Sequence, residues 1–251
     1  MHDDGGVGEV WRLSATGGGM TLKVMCARSM TAAVNALAHD FTRATGQEVD
    51  ITFGTVGALQ AKLAAGESAD VLVLGAPAIA KMEQAGEVLA GSRRDIARTS
   101  IGVAVREGAA APDVSTAEAF KRALLAARAI AFSDPAVGGS AGVHLAQLWG
   151  RMGMADEIAR KGMPQKTGGE VAARVAEGEA EIGLTLVAEI VPIKGAHVIG
   201  TLPAPFGNDT TYAAGISASC TDRAAAAAFI AALTRAGGRD VWTAAGFDWV
   251  G

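Results

Sequence analysis

Short apolar runs alternate with stretches of helical periodicity along almost the whole chain. The runs have the length and Val/Ile/Leu content of buried strands. They lie at 22–27, 48–54, 69–75, 100–105, 128–132, 181–187, 196–203 and 210–219. Between most of them, apolar residues recur every three or four positions, and glycine or proline marks the helix ends. Strands separated by such helices predict parallel pairing with right-handed crossovers, and therefore an α/β fold.

The last two helical segments, 222–236 and 239–246, have no strands of their own after them. We expect these helices to pack back on the first block of the chain. The predicted organisation is therefore two αβ lobes joined by two chain crossings. Residues 20–97 together with 206–251 form lobe 1, and residues 98–205 form lobe 2.

Composition adds that the chain can bury a large core, because half of its 251 residues are hydrophobic and only 19% are charged. The net charge of −4 argues against a broad nucleic-acid-binding face, which needs clustered basic residues. The longest apolar runs fall short of the ~18–20 residues of a membrane helix. We therefore expect no nucleic-acid partner and no membrane span, and we expect a monomer.

The first 19 residues, MHDDGGVGEVWRLSATGGG, lack the basic and then apolar regions of a secretory signal. Their acidic, glycine-rich composition predicts a disordered N-terminal extension. As written, the chain is expected to be cytoplasmic. The alternative is a periplasmic location, if a leader was removed or if the start, for example at Met20, was assigned wrongly.

Candidate chemistry gathers where predicted strands give way to helices. Arg28 and Ser29 follow the first strand directly. A cation at a helix start is disfavoured by roughly 0.3–1 kcal/mol, because the aligned peptide dipoles already make that end positive. Either a carboxylate of the protein or a bound anion would explain Arg28.

Three further junctions place hydroxyl residues and glycines at predicted helix starts. They are FGTVGAL (53–59), FSDPAVGGSAGVH (132–144) and QKTGGEVAA (165–173). Helix starts hold free N–H groups and favour anions, and in open α/β sheets such junctions meet at the carboxyl ends of the strands. Plain capping explains any one of them. Four such junctions in one α/β pattern predict an anion-binding site.

The sequence gives little support for a metal site or for a nucleotide-binding site. The four histidines are scattered without metal-ligand spacing, and we find no P-loop or strand-linked GxGxxG motif. We therefore expect no metal and no cofactor. Cys26 and Cys220 lie far apart in apolar surroundings, which favours reduced, buried thiols over a disulfide while leaving the disulfide open.

As a set, these stretches resemble the periplasmic molybdate-binding proteins of ABC importers and, more widely, the type II periplasmic solute-binding fold. The resemblance runs from about Leu22 to the end. It rests on CARSMTAAVNALAHDFTRATG, FGTVGALQAKLAAGESADVLVLGA, RRDIAR, SDPAVGGSAG and EAEIGLTLVAEI. It implies two lobes that close on an oxyanion held by neutral hydrogen bonds, and an ABC importer permease as a partner.

The resemblance also implies ligand-binding positions. The family's two binding serines correspond to Ser29 and Val56, and its backbone ligands correspond to Ala141 and to the neighbourhood of Gly168. Its binding tyrosine falls at Leu186. With the polar and basic residues beside these positions, the candidate ligand-binding set is Arg28, Ser29, Thr55, Val56, Ser140, Ala141, Lys166, Thr167, Gly168 and Leu186.

Two of the family's side-chain ligands are thus absent, and Arg28 adds a guanidinium beside the serine that remains. A planar guanidinium suits a carboxylate or phosphate. The sequence therefore predicts that a small organic di- or tricarboxylate, rather than molybdate, binds in the cleft between the lobes, as in an ABC-importer substrate-binding protein.

Two alternatives stay open beside this binding function. One is an isomerase resembling aconitate isomerase, acting by allylic proton transfer on an unsaturated di- or tricarboxylate. The other is an effector-sensing domain of a bacterial regulator, which is disfavoured because the first 19 residues cannot form a helix-turn-helix. For the isomerase, the carboxylate clamp would come from Arg28, Ser29, Thr55, Lys166 and Thr167. Its base is not evident, and the candidates are His144, Glu170 and Lys166.

Overall fold

The computed structural model describes residues 10–12 and 21–251. The strands are β1 (Val10–Arg12), β2 (Leu22–Ala27), β3 (Val49–Gly54), β4 (Val71–Gly75), β5 (Arg94–Arg106), β6 (Ile130–Ser133), β7 (Gly162–Gln165), β8 (Ile182–Leu186), β9 (Ala196–Thr201), β10 (Asp209–Ile216) and β11 (Asp248–Trp249). The helices are α1 (Thr31–Thr45), α2 (Val56–Ala64), α3 (Ala76–Gln84), α4 (Ala117–Ala126), α5 (Ser140–Met152), α6 (Ala155–Lys161), α7 (Gly168–Ala176), α8 (Val187–Ile190), α9 (Arg223–Thr234) and α10 (Arg239–Ala244). Short 3-10 turns at Arg28–Met30, Pro135–Val137 and Ala236–Gly238 precede α1, α5 and α10. The predicted α/β class is confirmed.

The chain divides into two compact units. Of the described residues, unit 1 comprises 10–12, 21–97, 211–241 and 250–251, and unit 2 comprises 98–210 and 242–249. The sequence pattern predicts residues 206–210 and 242–249 in lobe 1, whereas in the structure both segments belong to unit 2. Residues 242–249 belong with unit 2 because Gly246 lies so close to Ala188 that an added Cβ would be 3.0 Å from its backbone. The hydroxyl of Thr99 also donates to the carbonyl oxygen of Gly246 at 2.9 Å.

Strand β1 corrects part of the predicted disordered extension. Val10–Arg12 pairs antiparallel with β3, and Val10 lies opposite Thr52. Backbone pairing of this kind is available to any residue with an extended conformation, so the composition of residues 1–19 gave no signal for it. The rest of that predicted extension, and Met20, lie outside the described residues.

The sheet of unit 1 brings three strand ends to one edge. Its strand order is β1–β3–β2–β4–β10. Strand β2 is parallel to both β3 and β4, and Ala27 pairs with Gly54 at the carboxyl ends. Strand β10 is antiparallel to β4, with Tyr212 opposite Gly75. The edge where β2, β3 and β4 end is therefore also reached by Tyr212.

Helices cover this sheet through their apolar faces. Helix α1 ends at Gly46, whose φ of 74° is a left-handed conformation that glycine adopts without strain. The rings of Phe41 and Phe229 meet edge to face at 5.3 Å, so α9 packs on α1.

Cys26 and Cys220 are free and buried. Burial raises the pKa of the Cys26 thiol far above its usual range, and burial together with nearby Asp70 raises the pKa of Cys220 to about 11.

Unit 2 contains a mixed sheet with a similar shared edge. Strand β5 pairs antiparallel with both β8 and β9, whereas β6 is parallel to both β7 and β8. Ser133, the last residue of β6, lies opposite Gln165 of β7. The carboxyl ends of β6, β7 and β8 therefore lie together. The edge-to-face contact of Phe132 and Trp149, at 5.8 Å, packs α5 against this sheet.

None of the helices that the structure describes is both long enough and apolar enough to cross a membrane.

Gly142 and Gly150 of α5 form a matched pair that tests how closely this helix packs on the preceding loop. An added Cβ at Gly142 would lie 2.7 Å from the carbonyl oxygen of Asp134 and 2.9 Å from the nitrogen of Pro135, whereas one at Gly150 would meet nothing within 4 Å. We expect Gly142→Ala to lower the free energy of unfolding by about 1–3 kcal/mol, because backbone atoms must move apart.

We expect Gly150→Ala to leave this free energy unchanged or to raise it by up to about 1 kcal/mol, because alanine is the better helix former. Urea unfolding of the two variants beside the parent protein measures both effects. If the two alanines proved equally harmless, the close approach of α5 to Asp134 would be wrong.

Candidate functional site

The junction after β2 presents the guanidinium of Arg28 to solvent. Arg28–Met30 form the 3-10 turn that leads into α1, and no side chain caps this turn. Arg28 is exposed. Among the described residues of unit 1, no carboxylate lies within 4.0 Å of its guanidinium. Among the described residues of unit 1, the structure therefore shows no ion pair of the kind that would explain Arg28.

Ser29 lies beside Tyr212, a residue that the sequence analysis did not name. Their hydroxyl oxygens are 2.7 Å apart, and either hydroxyl can be the donor. Tyr212 is only 4% exposed. The resemblance implies that the family's binding tyrosine corresponds to Leu186, and the sequence pattern of β10 does not predict that Tyr212 contacts this junction. The sequence does contain one signal for Tyr212. It is the one tyrosine of the chain, and therefore the one residue that could supply a phenol hydroxyl to a site.

The junction after β3 combines a cap with an apolar first residue. The hydroxyl of Thr55 accepts a hydrogen bond from the N–H of Ala58 at 3.2 Å, which makes Thr55 the N-cap of α2. A hydroxyl that accepts still has its own proton to donate. Val56 is partly buried against the core around Leu59. The side chain at this position therefore cannot replace the family's second serine, and Thr55 is the hydroxyl nearest to it in sequence.

The junction after β6 leads to an uncapped helix start. Helix α5 begins at Ser140, and Gly139 before it supplies no side-chain cap. The first N–H groups of a helix have no partner within the helix. Thr210 donates to the hydroxyl oxygen of Ser140 at 3.1 Å, and Ala141 is buried in the first turn. The predicted backbone ligand, Ala141, thus lies at a helix start of the kind that suits an anion.

At the junction after β7, the polar side chains cap the helix that follows. Thr167 and Glu170 form a capping box. The N–H of Glu170 donates to the hydroxyl of Thr167 at 3.2 Å, and Glu170 Oε2 accepts from the N–H of Thr167 at 3.0 Å. Gly168 is buried, while Lys166 is exposed. Plain capping therefore accounts for Thr167 and for Glu170, which was one of the candidate bases.

Two other predicted site residues, His144 and Leu186, make contacts that stabilise the fold of unit 2. The ring nitrogen Nε2 of His144 lies 2.9 Å from the carbonyl oxygen of Phe206. A carbonyl can only accept, so Nε2 carries the proton in this contact and holds α5 to the segment around Phe206. Leu186 is 4% exposed and belongs to the apolar core of unit 2. Its side chain has no polar atom to offer a ligand.

A polar network that the sequence analysis missed joins the ends of β6 and β8. The hydroxyl of Ser133 donates to the hydroxyl of Thr185 at 2.8 Å. Thr185 in turn donates to Glu189 Oε2 at 2.7 Å. Thr185 is fully buried, and Ser133 is half-buried.

Within the described part of the chain, no group of three or more His, Cys, Asp or Glu side chains could hold a metal ion.

The family model described as "Bacterial extracellular solute-binding protein" matches residues 22–248. The chain therefore belongs to this family of bacterial extracellular solute-binding proteins. It is also 32% identical, over 200 residues, to an aconitate isomerase from a Pseudomonas species, with 76% of this chain and 74% of that protein covered.

Solved structures establish the fold. The periplasmic molybdate-binding protein of Azotobacter vinelandii matches with a TM-score of 0.69 at 22% identity, over 90% of this chain and 98% of that one. The sulfate-binding protein SubI of Mycobacterium tuberculosis H37Rv matches with a TM-score of 0.72 at 16% identity, over 92% and 88%. The predicted type II periplasmic-binding-protein fold, and the resemblance to molybdate-binding proteins, are confirmed.

Proposed function

We propose that this chain binds a small organic di- or tricarboxylate through donors at the strand ends, and that it prefers such an anion to molybdate. The observation that carries the proposal is the exposed guanidinium of Arg28, which has no carboxylate partner among the described residues of unit 1. An arginine fork matches a carboxylate with two parallel hydrogen bonds. Membership of a solute-binding family supports a small-molecule ligand.

Hydroxyl groups beside Arg28 support the same ligand class. The hydroxyls of Ser29 and Tyr212 form a hydrogen bond with each other at 2.7 Å. Thr55 accepts from a backbone N–H and keeps its proton. The guanidinium of Arg28, which can only donate, and the hydroxyl of Thr55 lie at this edge of unit 1, and such groups suit a ligand rich in acceptor oxygens. Loss of the family's second serine at Val56 removes a donor suited to molybdate.

The family's description as extracellular supports the periplasmic alternative for the location. In that case an ABC importer permease is the partner we propose. The ligand, the partner and the location form one proposal, because a receptor that feeds an importer must meet its solute outside the cytoplasm.

A thermal-shift panel tests the ligand class. A ligand at 100 times its dissociation constant stabilises the folded state by about 2.7 kcal/mol. For a chain of this size, that corresponds to roughly 5–10 °C in melting temperature. We expect di- or tricarboxylates to raise the melting temperature, and molybdate and tungstate to leave it unchanged. A larger shift with submillimolar molybdate would show that Arg28 had been misinterpreted.

Replacement of Arg28 tests the residue that carries the proposal. We expect Arg28→Ala to weaken carboxylate binding by about 1.5–3 kcal/mol, the range for hydrogen bonds to charged groups. Stability without ligand should stay the same or rise, because a cation is removed from a positive helix end. Calorimetric titration gives the affinity, and melting curves give the stability.

Arg151→Ala is the matched control for this experiment. Arg151 is an exposed arginine in the last turn of α5, about 16 Å along the helix from Ser140. Its replacement should change neither affinity nor stability appreciably. If Arg28→Ala instead lost stability and kept its affinity, Arg28 would serve a contact within the protein.

An isomerase of unsaturated tricarboxylates is the second candidate function, because the 32% identical Pseudomonas relative is named an aconitate isomerase. Such an enzyme takes a proton from the carbon beside a double bond and returns one at the other end of the allylic system. The three candidate bases lend it little support. His144 Nε2 donates to a backbone carbonyl, Glu170 completes a capping box, and Lys166 is exposed. The binding function is therefore our first proposal.

Proton NMR in heavy water separates the two functions. If the chain only binds, cis-aconitate incubated with it for a day should keep its spectrum, without isomerisation and without exchange of C–H for deuterium. An isomerase would convert cis- to trans-aconitate over many turnovers per protein. Tens of turnovers, absent from a heat-denatured control, would replace the binding proposal with the enzymatic one.

A further inference from the structure

We propose that unit 2 recognises a hydroxyl group of the ligand, and that Ser133 accepts the hydrogen bond from it. This inference rests on the proposed function and narrows its ligand class to hydroxy-carboxylates. The observation behind it is the network of Ser133, Thr185 and Glu189 at the ends of β6 and β8, whose hydrogen bonds are separate from those of the capping box of Thr167 and Glu170.

The chemistry of the network fixes the direction of each hydrogen bond. An ionised carboxylate can only accept, so the hydroxyl of Thr185 must donate to Glu189. A threonine hydroxyl has one proton, and this contact uses it. In the contact between Ser133 and Thr185, the proton must therefore come from Ser133. Ser133 has no further proton, and towards any other group it can only accept.

Packing prevents the network from rearranging easily. Thr185 is fully buried. An added Cβ at Gly168 would lie 2.2 Å from Glu189 Oε2 and 2.3 Å from Thr185 Oγ1, so the first residue of α7 closes directly over both oxygens. Glycine is required there because any side chain would occupy the same space. The direction of the two hydrogen bonds is therefore held by the surrounding structure.

A ligand group that meets Ser133 has to be a donor. A ligand carboxylate offers only acceptor oxygens. Among small organic acids, the neutral donor is a hydroxyl. Only residues 134–139 separate Ser133 from the uncapped start of α5, so an acceptor of this kind lies close in sequence to N–H groups that suit a carboxylate.

Ligand pairs that differ by one hydroxyl provide the test. Citrate is compared with propane-1,2,3-tricarboxylate, and malate with succinate, by calorimetric titration of the full chain. We expect the hydroxy acid of at least one pair to bind roughly three- to tenfold more tightly, in keeping with one neutral hydrogen bond. Ser133→Ala should reduce this preference to less than about twofold.

Two variants of Thr185 examine the direction of the network. Thr185→Val removes the hydroxyl at almost the same volume, so Ser133 recovers its proton and the preference for the hydroxy acid should disappear. Thr185→Ser keeps the hydroxyl and should keep the preference. Melting curves confirm that each variant is folded, and Ser133→Ala decides the matter alone if Thr185→Val does not fold.

The outcomes distinguish this inference from the function it rests on. If none of the four acids binds the parent protein, the proposed carboxylate-binding function fails and takes the inference with it. If the acids bind without any preference for the hydroxyl, the inference fails while carboxylate binding stands. A preference that persists in folded Ser133→Ala also overturns the inference, because the network would then be a structural one.

Discussion

The hydrogen bond between Ser29 and Tyr212 joins residues 183 positions apart, and it depends on the direction of a single strand. Strands β2, β3 and β4 are parallel and end at one edge of unit 1. Because β10 is antiparallel to β4, the part of β10 that carries Tyr212 lies at that same edge. A parallel β10 would carry Tyr212 to the opposite edge. The donors at this edge, from Arg28 to Thr55 and Tyr212, form a group only because of this arrangement.

The strand-to-helix junctions share a hydroxyl residue near the helix start, but that hydroxyl caps the helix in only some of them. Thr55 and Thr167 both cap the helices that follow them, whereas neither Ser29 nor Ser140 does so. A hydroxyl before a helix predicts only that an acceptor lies near free N–H groups. Whether it serves the helix or a ligand depends on its distance from those groups, and this distance is set by the loop geometry rather than by the residue type.

The sequence predicted the parts of the fold that depend on local pattern. The buried runs of β2, β3 and β4, the helix end at Gly46 and the helix start near Pro77 all follow from periodicity and backbone preference. Strand β7 escaped prediction because its four residues, GMPQ, contain a proline and no alternation. Residues 242–249 were misplaced because their contact with unit 2 is a close backbone approach at Gly246, which a hydrophobic pattern does not record. Arg28 was proposed as a site residue because a cation at a helix start conflicts with the helix dipole. Thr185 was missed because threonine in an apolar strand is read as an ordinary strand former.

The single tyrosine of this chain is also a built-in spectroscopic label. Tyr212 is the one phenol ring in 251 residues, and its hydroxyl touches Ser29. Uniform incorporation of fluorotyrosine would therefore give one ¹⁹F resonance, already located beside Arg28, without any substitution in the sequence. Occupancy of that corner of the molecule could be followed in crude mixtures of candidate solutes by watching one line in one spectrum.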